Sequence, residues 1–247
     1  MTVETGEDFV ATVEIHRPPE NYFDAALVEA LAEAYEALDG DDACRAIVLC
    51  SEGRHFCAGA RLGAGGVDET ARLYAAAVRM FAAQTPVVAA VQGAAVGGGL
   101  GLALSADFRV ASLESRFSAN FARLGFHHGF GLTVTLPAVA GQQAAADLLY
   151  TGRRVRGDEA QGLGLCDRLV AAERVRDEAR ALAAEIAGSA PLAVREIRRT
   201  LRADLADRVR VAVEREAFEQ ARLAATEDFA EGVRAMAERR PPRFRGV

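Results

Sequence analysis

The chain has 247 residues, 51% of them hydrophobic, and a formal net charge of -6 with basic and acidic residues interspersed. That is enough apolar sequence for one large core, and the charge pattern excludes the basic stripe of a nucleic-acid-binding surface. No apolar run is long and uncharged enough to span a bilayer, and the acidic start MTVETGEDFV lacks the basic and apolar regions of a signal peptide. Cys44, Cys50, Cys57 and Cys166 show neither metal-ligand nor secreted-disulfide spacing, so they are expected as buried thiols in a reducing cytoplasm. The arginines at 239, 240, 243 and 245 are expected as a solvated basic tail.

Phe9 to Ile15 alternates as a strand and stops at Arg17-Pro18-Pro19. Asp24 can cap a helix whose Leu27, Leu31, Tyr35 and Leu38 share one face, ended by Gly40-Asp41-Asp42. Ala46 to Cys50 reads as a buried strand. The glycine-rich loop SEGRHFCAGARLGAGG follows, Ser51 to Gly66, of a length that usually carries function. Asp68 is expected to cap a helix reaching about Ala83, with Leu73, Ala77, Met80 and Phe81 turned inward.

Val87 to Val91 is a short β-branched run, the mark of a buried strand, and leads into GAAVGGGLGLALSAD, Gly93 to Asp107. Gly97, Gly98 and Gly99 carry the backbone through a turn where side chains would clash. Leu100 to Leu104 then continue as a helix. A glycine turn that opens a helix leaves free N–H groups and the positive end of the helix dipole facing one place. Such a place suits a phosphate or a developing oxyanion, although a tight packing turn would use the same residues.

Further on, Phe108 to Ala111 is a strand, Arg116 to Phe121 reads as extended, and LGFHHGFGLT, Leu124 to Thr133, is a second glycine-rich connection. Helical patterns occupy Thr133 to Ala140 and Gln142 to Tyr150, broken by Thr151-Gly152. Asp158 to Gly162 reads as a short helix and Asp167 to Val170 as a strand. From Glu173 to Glu238 the pattern is nearly all helical, interrupted at Gly188 to Pro191. Strands alternating with helices first and helices alone later imply an α/β core, residues 1–190, with a helical part at 191–247.

Four stretches together resemble the crotonase family, the enoyl-CoA hydratase/isomerase superfamily. They are HFCAGARL at 55–62, PVVAAVQGAAVGGGLGLALSADFRVA at 86–111, LLYTGRRVRGDEAQGLGLCDRLV at 148–170 and the close DFAEGVRAMAERRPPRF. The resemblance implies a spiral of ββα units, C-terminal trimerisation helices in a homotrimer or dimer of trimers, and a coenzyme A thioester as substrate with no further cofactor. It also implies an oxyanion hole made by the N–H groups of Ala60 and Gly98, with Gly97 in the same turn. The amides near Ala58 and Ala60 are expected to face the adenine and pantetheine parts of coenzyme A.

The sequence departs from that family pattern where acid/base chemistry is expected. The positions that correspond to the two hydratase glutamates hold Gly101 and Phe121, and the position of the isomerase acid holds Gly129. No other Asp or Glu lies between Arg116 and Ala146. Imidazole is the side chain suited to proton transfer near neutral pH, and two of the chain's four histidines, His127 and His128, border the lost carboxylate slot. His128 is the first candidate and His127 the second, because adjacent side chains on an extended loop are expected to diverge. Asn120 and Arg123 are further polar candidates, Arg61 is expected to pair with an acid or solvent, and Asp107 is expected to be structural. Phe117, Phe121, Phe126 and Phe130 are expected as core or as the wall of an acyl pocket.

These features imply an acyl-CoA lyase or isomerase with a base other than glutamate, or alternatively a non-catalytic acyl-CoA binding or carrier protein. A nicotinamide site is excluded, since the glycine turn lies deep in the chain and Leu102 stands where that fingerprint needs a third small residue.

Overall fold

A computed structural model describes residues 1–60 and 66–247; Arg61, given a pairing role above, lies outside the described residues. β1 (Thr2–Thr5) pairs antiparallel with β2 (Val10–Ile15), which leads to α1 (Ala25–Asp39). β3 (Ala46–Ser51), α2 (Val67–Ala82), β4 (Val87–Val91), β5 (Ala94–Val96) and α3 (Gly98–Ser105) follow. Next come β6 (Phe108–Ser112), β7 (Arg116–Ser118), a 3-10 turn over Asn120–Leu124, α4 (Leu132–Ala140) and α5 (Gln142–Thr151). β8 (Arg154–Arg156), α6 (Gly157–Gly162) and β9 (Arg168–Val170) complete the α/β part. After a short 3-10 turn, α7 (Val175–Ala187), α8 (Pro191–Leu201), α9 (Leu205–Ala224) and α10 (Glu227–Ala237) close the chain.

Six strands form one sheet in the order β1-β2-β3-β4-β6-β9, parallel from β2 onward, and β5-β7-β8 form a second. Parallel strands covered on both faces need apolar residues on both sides, which is why β3 is buried along its whole length. Ile47 and Leu49 face the large core shared with α1 and α2, while Val48 and Cys50 face a second core built with Val175, Ala179 and Leu182 of α7.

The chain changes sheet twice at equivalent places. β4 passes to β5 through Gly93, whose φ of 61° suits glycine and where a Cβ would lie 2.1 Å from the Arg54 carbonyl oxygen. β6 passes to β7 through Ser115, whose hydroxyl donates to the Val91 carbonyl at 2.7 Å, and Arg116 N–H donates to the Gly93 carbonyl at 2.7 Å. The two sheet-changing turns are thereby held in step.

Asp24 caps α1 as expected, accepting from Leu27 N–H at 2.9 Å. Asp68 does not cap α2: Gly66 precedes the helix and Asp68 sits in its first turn, where its charge meets the helix dipole. The extended stretch from Arg116 ends at Ser118, and Phe121 lies in the 3-10 turn. All four cysteines are free and buried. No helix among the described residues is long and apolar enough to cross a membrane.

Two features tie the C-terminal helices to the core. Asp107 accepts from Val87 N–H at 2.8 Å and pairs with Arg198 at 2.9 Å and Arg202 at 2.5 Å, so α8 docks by its charges. Its apolar residues point outward, Leu192, Ile197 and Leu201 being 77%, 59% and 80% exposed. α9 packs on α2 and α4, and its Val209 and Val213 belong to the large core.

Candidate active site

The loop after β3 and the turn after β5 run side by side because their backbones bond as strands do. Cys57 N–H donates to the Ala94 carbonyl at 2.9 Å and Val96 N–H to the Cys57 carbonyl at 3.0 Å. That closeness explains the glycines. A Cβ on Gly99 would lie 2.1 Å from the Cys57 carbonyl oxygen, one on Gly98 2.4 Å from the Phe23 ring, and one on Gly59 2.7 Å from the Val96 carbonyl oxygen. Gly98 opens α3, and among the described residues neither its N–H nor that of Ala60 donates to a protein acceptor. Two uncommitted donors therefore stand where the two segments meet, one at the positive end of a helix.

Gly97 and Ala58 play other parts. Gly97 takes a φ of 57° and gives its N–H to the Ser118 carbonyl at 2.8 Å, so it shapes the turn. Ala58 N–H donates to the Glu20 carbonyl at 2.9 Å. This corrects the expectation that the Ala58 amide faces a ligand: the turn at residues 18–21 uses it.

Each position where the resemblance would place an acid is enclosed by other side chains. A Cβ on Gly101 would lie 2.7 Å from the Phe130 Cβ, and Phe130 is itself buried against the rings of Phe23 and Phe81. A Cβ on Gly129 would lie 2.0 Å from the Tyr74 hydroxyl. Phe121 is 9% exposed, and a Cβ on Gly97 would lie 3.7 Å from its Cζ and 3.2 Å from Asn120 Oδ1. Phe117 and Phe130 are core, whereas Phe126 packs on Phe229 of α10. Arg123 is held elsewhere, its Nε donating to the Thr151 carbonyl at 2.7 Å.

His127 and His128 do not diverge. Their rings stack with centroids 4.1 Å apart, and the His128 ring lies 6.4 Å from that of Phe121. The expectation assumed an extended loop. The loop is not extended throughout: Gly125 before the pair and Phe130 and Gly131 after it take positive φ, and the two rings lie on one side. His127 Nδ1 bonds the His128 carbonyl at 2.7 Å, and His128 Nε2 bonds the Thr133 hydroxyl at 2.8 Å. Burial, with His127 adding to it, pushes the His128 imidazole down to about 4, so it is neutral at pH 7.

One carboxylate near His128 was not anticipated. Glu216 of α9, fully buried, accepts from Gly131 N–H at 2.9 Å, from Thr133 N–H at 3.0 Å and from the Thr133 hydroxyl at 2.6 Å. Its Oε1 stands 4.0 Å from His128 Nε2. With its charge met by three donors, burial still governs the imidazole. Four residues further along α9, Gln220 accepts from the Tyr74 hydroxyl at 2.8 Å and donates to the His127 carbonyl at 3.0 Å. The signal in the sequence was a helical stripe, Val209, Val213, Glu216 and Gln220, that turns polar halfway along a buried face.

Comparison with known proteins identifies the family. The family model described as Enoyl-CoA hydratase/isomerase matches residues 5–247. A Thermus thermophilus protein named "Putative enoyl-CoA hydratase" is 36% identical, covering 98% of this chain and 100% of its own. Carnitinyl-CoA dehydratase of Proteus mirabilis is 33% identical, covering 96% of this chain and 95% of its own. The crystal structure of an enoyl-CoA hydratase/isomerase from Pseudoalteromonas atlantica superposes with a TM-score of 0.88 at 31% identity, over 99% of both chains. The chain belongs to the enoyl-CoA hydratase/isomerase family, the crotonase superfamily.

Proposed function

We propose that the protein is an acyl-CoA lyase or isomerase whose Ala60 and Gly98 N–H groups hold the thioester oxygen, with His128 first and His127 second as proton carriers. The observation that supports this reading is the meeting of two N–H donors uncommitted among the described residues, with a neutral imidazole whose ring lies 6.4 Å from that of Phe121, an aromatic side chain beside the same turn. In the step proposed, a Cα–H bond of the acyl group breaks, its proton goes to the imidazole, and its electron pair moves onto the thioester oxygen. Each preorganised donor at that oxygen is worth about 3–4 kcal/mol. Phe121 forms part of the wall beside the acyl chain.

The test is exchange of the acyl Cα protons in deuterated water, followed by NMR. Exchange that is lost in Ala60→Pro, which removes the donor, supports the reading, and exchange unchanged in a folded Ala60→Pro protein refutes the oxyanion assignment. A second reading, an acyl-CoA binder without turnover, is favoured by Phe130 and Tyr74 filling the space beside Gly101 and Gly129. Acyl-CoA binding without any exchange would select it. For assembly, the outward apolar face of α8 supports a homotrimer or dimer of trimers, and a monomer in sedimentation at micromolar concentration would refute it.

A further inference from the structure

We propose that Glu216 is a positioning residue that, through the Thr133 hydroxyl, fixes His128 as its Nε2–H tautomer and leaves Nδ1 as the site's proton acceptor. The assignment deepens the reading of His128 as proton carrier, yet the tautomer can be observed in the resting protein, without turnover.

It follows from counting protons along one chain of contacts. A threonine hydroxyl has a single proton. Thr133 gives it to Glu216 Oε1, a carboxylate oxygen that accepts, at 2.6 Å. The 2.8 Å contact between Thr133 Oγ1 and His128 Nε2 then needs its proton from the ring. A neutral imidazole carries one N–H, so Nδ1 holds the lone pair. Among the described residues no group bonds that nitrogen. His127 carries a proton on Nδ1, because the His128 carbonyl can only accept and that N–H must donate to it.

The carboxylate itself is held in one orientation. Gly131 N–H binds Oε2 and Thr133 N–H binds Oε1, so Glu216 also satisfies the opening turn of α4, whose own cap residue is a glycine with no side chain to do so. Gln220 fixes the backbone on the other side of the pair by donating to the His127 carbonyl, its amide oriented by the Tyr74 hydroxyl. A single helix thus sets both ends of the histidine segment.

The experiment uses the full chain with isotope-labelled histidine and long-range proton–nitrogen correlation spectra at neutral pH, the His128 signals assigned by their loss in His128→Gln. The wild type should show Nε2 protonated and Nδ1 bare, with an Nε2–H that exchanges slowly with solvent. Thr133→Val, which keeps the backbone N–H but removes the hydroxyl, should speed that exchange at least tenfold, and Thr133→Ser should restore it. Glu216→Gln, whose amide can donate to the Thr133 oxygen and turn its hydroxyl toward the ring, should raise the Nδ1–H population. A wild-type His128 protonated on Nδ1, or an Nε2–H equally protected in Thr133→Val, overturns the proposal. Should Glu216→Gln fail to fold, the threonine variants decide alone. Failure of the proton-carrier reading looks different: the tautomer stands, while Cα-proton exchange is unchanged in His128→Ala.

Discussion

Gly101 offers a quantitative test of why the site has no acid at that position. Ordinarily alanine in place of a glycine inside a helix gains about 1 kcal/mol. Here the added Cβ would lie 2.7 Å from the Phe130 Cβ and 3.0 Å from its Cδ1, both in a packed core. Overpacking of that kind costs about 1–3 kcal/mol, so Gly101→Ala should destabilise by about 0–2 kcal/mol net. Phe130→Ala would leave the offending Cβ in place, so the partner substitution is Phe130→Gly, which also suits that residue's φ of 60°. Alone it should cost about 3–5 kcal/mol for the lost ring. On that background Gly101→Ala should become stabilising, by about the 1 kcal/mol of helix propensity. The double-mutant cycle, measured by denaturant unfolding, should therefore return a coupling of about 1–3 kcal/mol. A coupling within error of zero, or a stabilised Gly101→Ala single variant, would refute the account, and with it the claim that Phe130 bars a side chain from this position.

Other consequences can be measured directly. Crotonyl-CoA hydration should be slow or absent, since positions 101 and 121 carry no carboxylate and such groups each contribute about 10²–10⁴-fold; a fast steady-state rate would contradict this. Cα-proton exchange should climb as pH rises through about 4 and then stay level past pH 7, because His128 titrates near 4 and serves as base only when neutral. The same depressed value makes the unfolded chain bind the extra proton, so stability should fall as pH drops from 6.5 to about 4. The difference between wild type and His128→Gln over that window should reach about 3 kcal/mol in denaturation curves. Asp107→Asn leaves Arg198 and Arg202 buried without their partner and should cost about 3–5 kcal/mol by chemical denaturation. Leu192→Asp with Leu201→Asp should reduce the assembled mass in sedimentation while leaving the helical signal intact.

The sequence made the turn legible because both signals were local: a β-branched run, then glycines that only a close backbone approach requires. Asp24 was equally readable, since a cap acts three residues away. β1, β5 and β8 were not, being three or four residues long and held by pairing with distant strands. The stacking of His127 and His128 was not legible, because it is held in part by Gln220, 93 residues further along the chain. Glu216 escaped for a related reason. It lies 83 residues from Thr133, and a carboxylate on a long, charge-rich helix reads as solvated unless the helix's inward stripe is traced through it.

That stripe has a consequence for how the chain can vary in length. A helix advances 1.5 Å and turns about 100° with every residue, so one residue inserted between Leu201 and Leu205 would swing Glu216 away from Thr133. To restore the contact, α9 would have to rotate, and the valines wedged against α2 and α4 would leave the core with it. The connection from α8 to α9 is three residues, Arg202 to Asp204, and Arg202 is itself fastened to Asp107. Surface connections usually tolerate insertions because no contact measures their length. This one is gauged at both ends, by an ion pair behind it and by a carboxylate about three turns ahead, and a library of insertions here should be as intolerant as one in the buried strands.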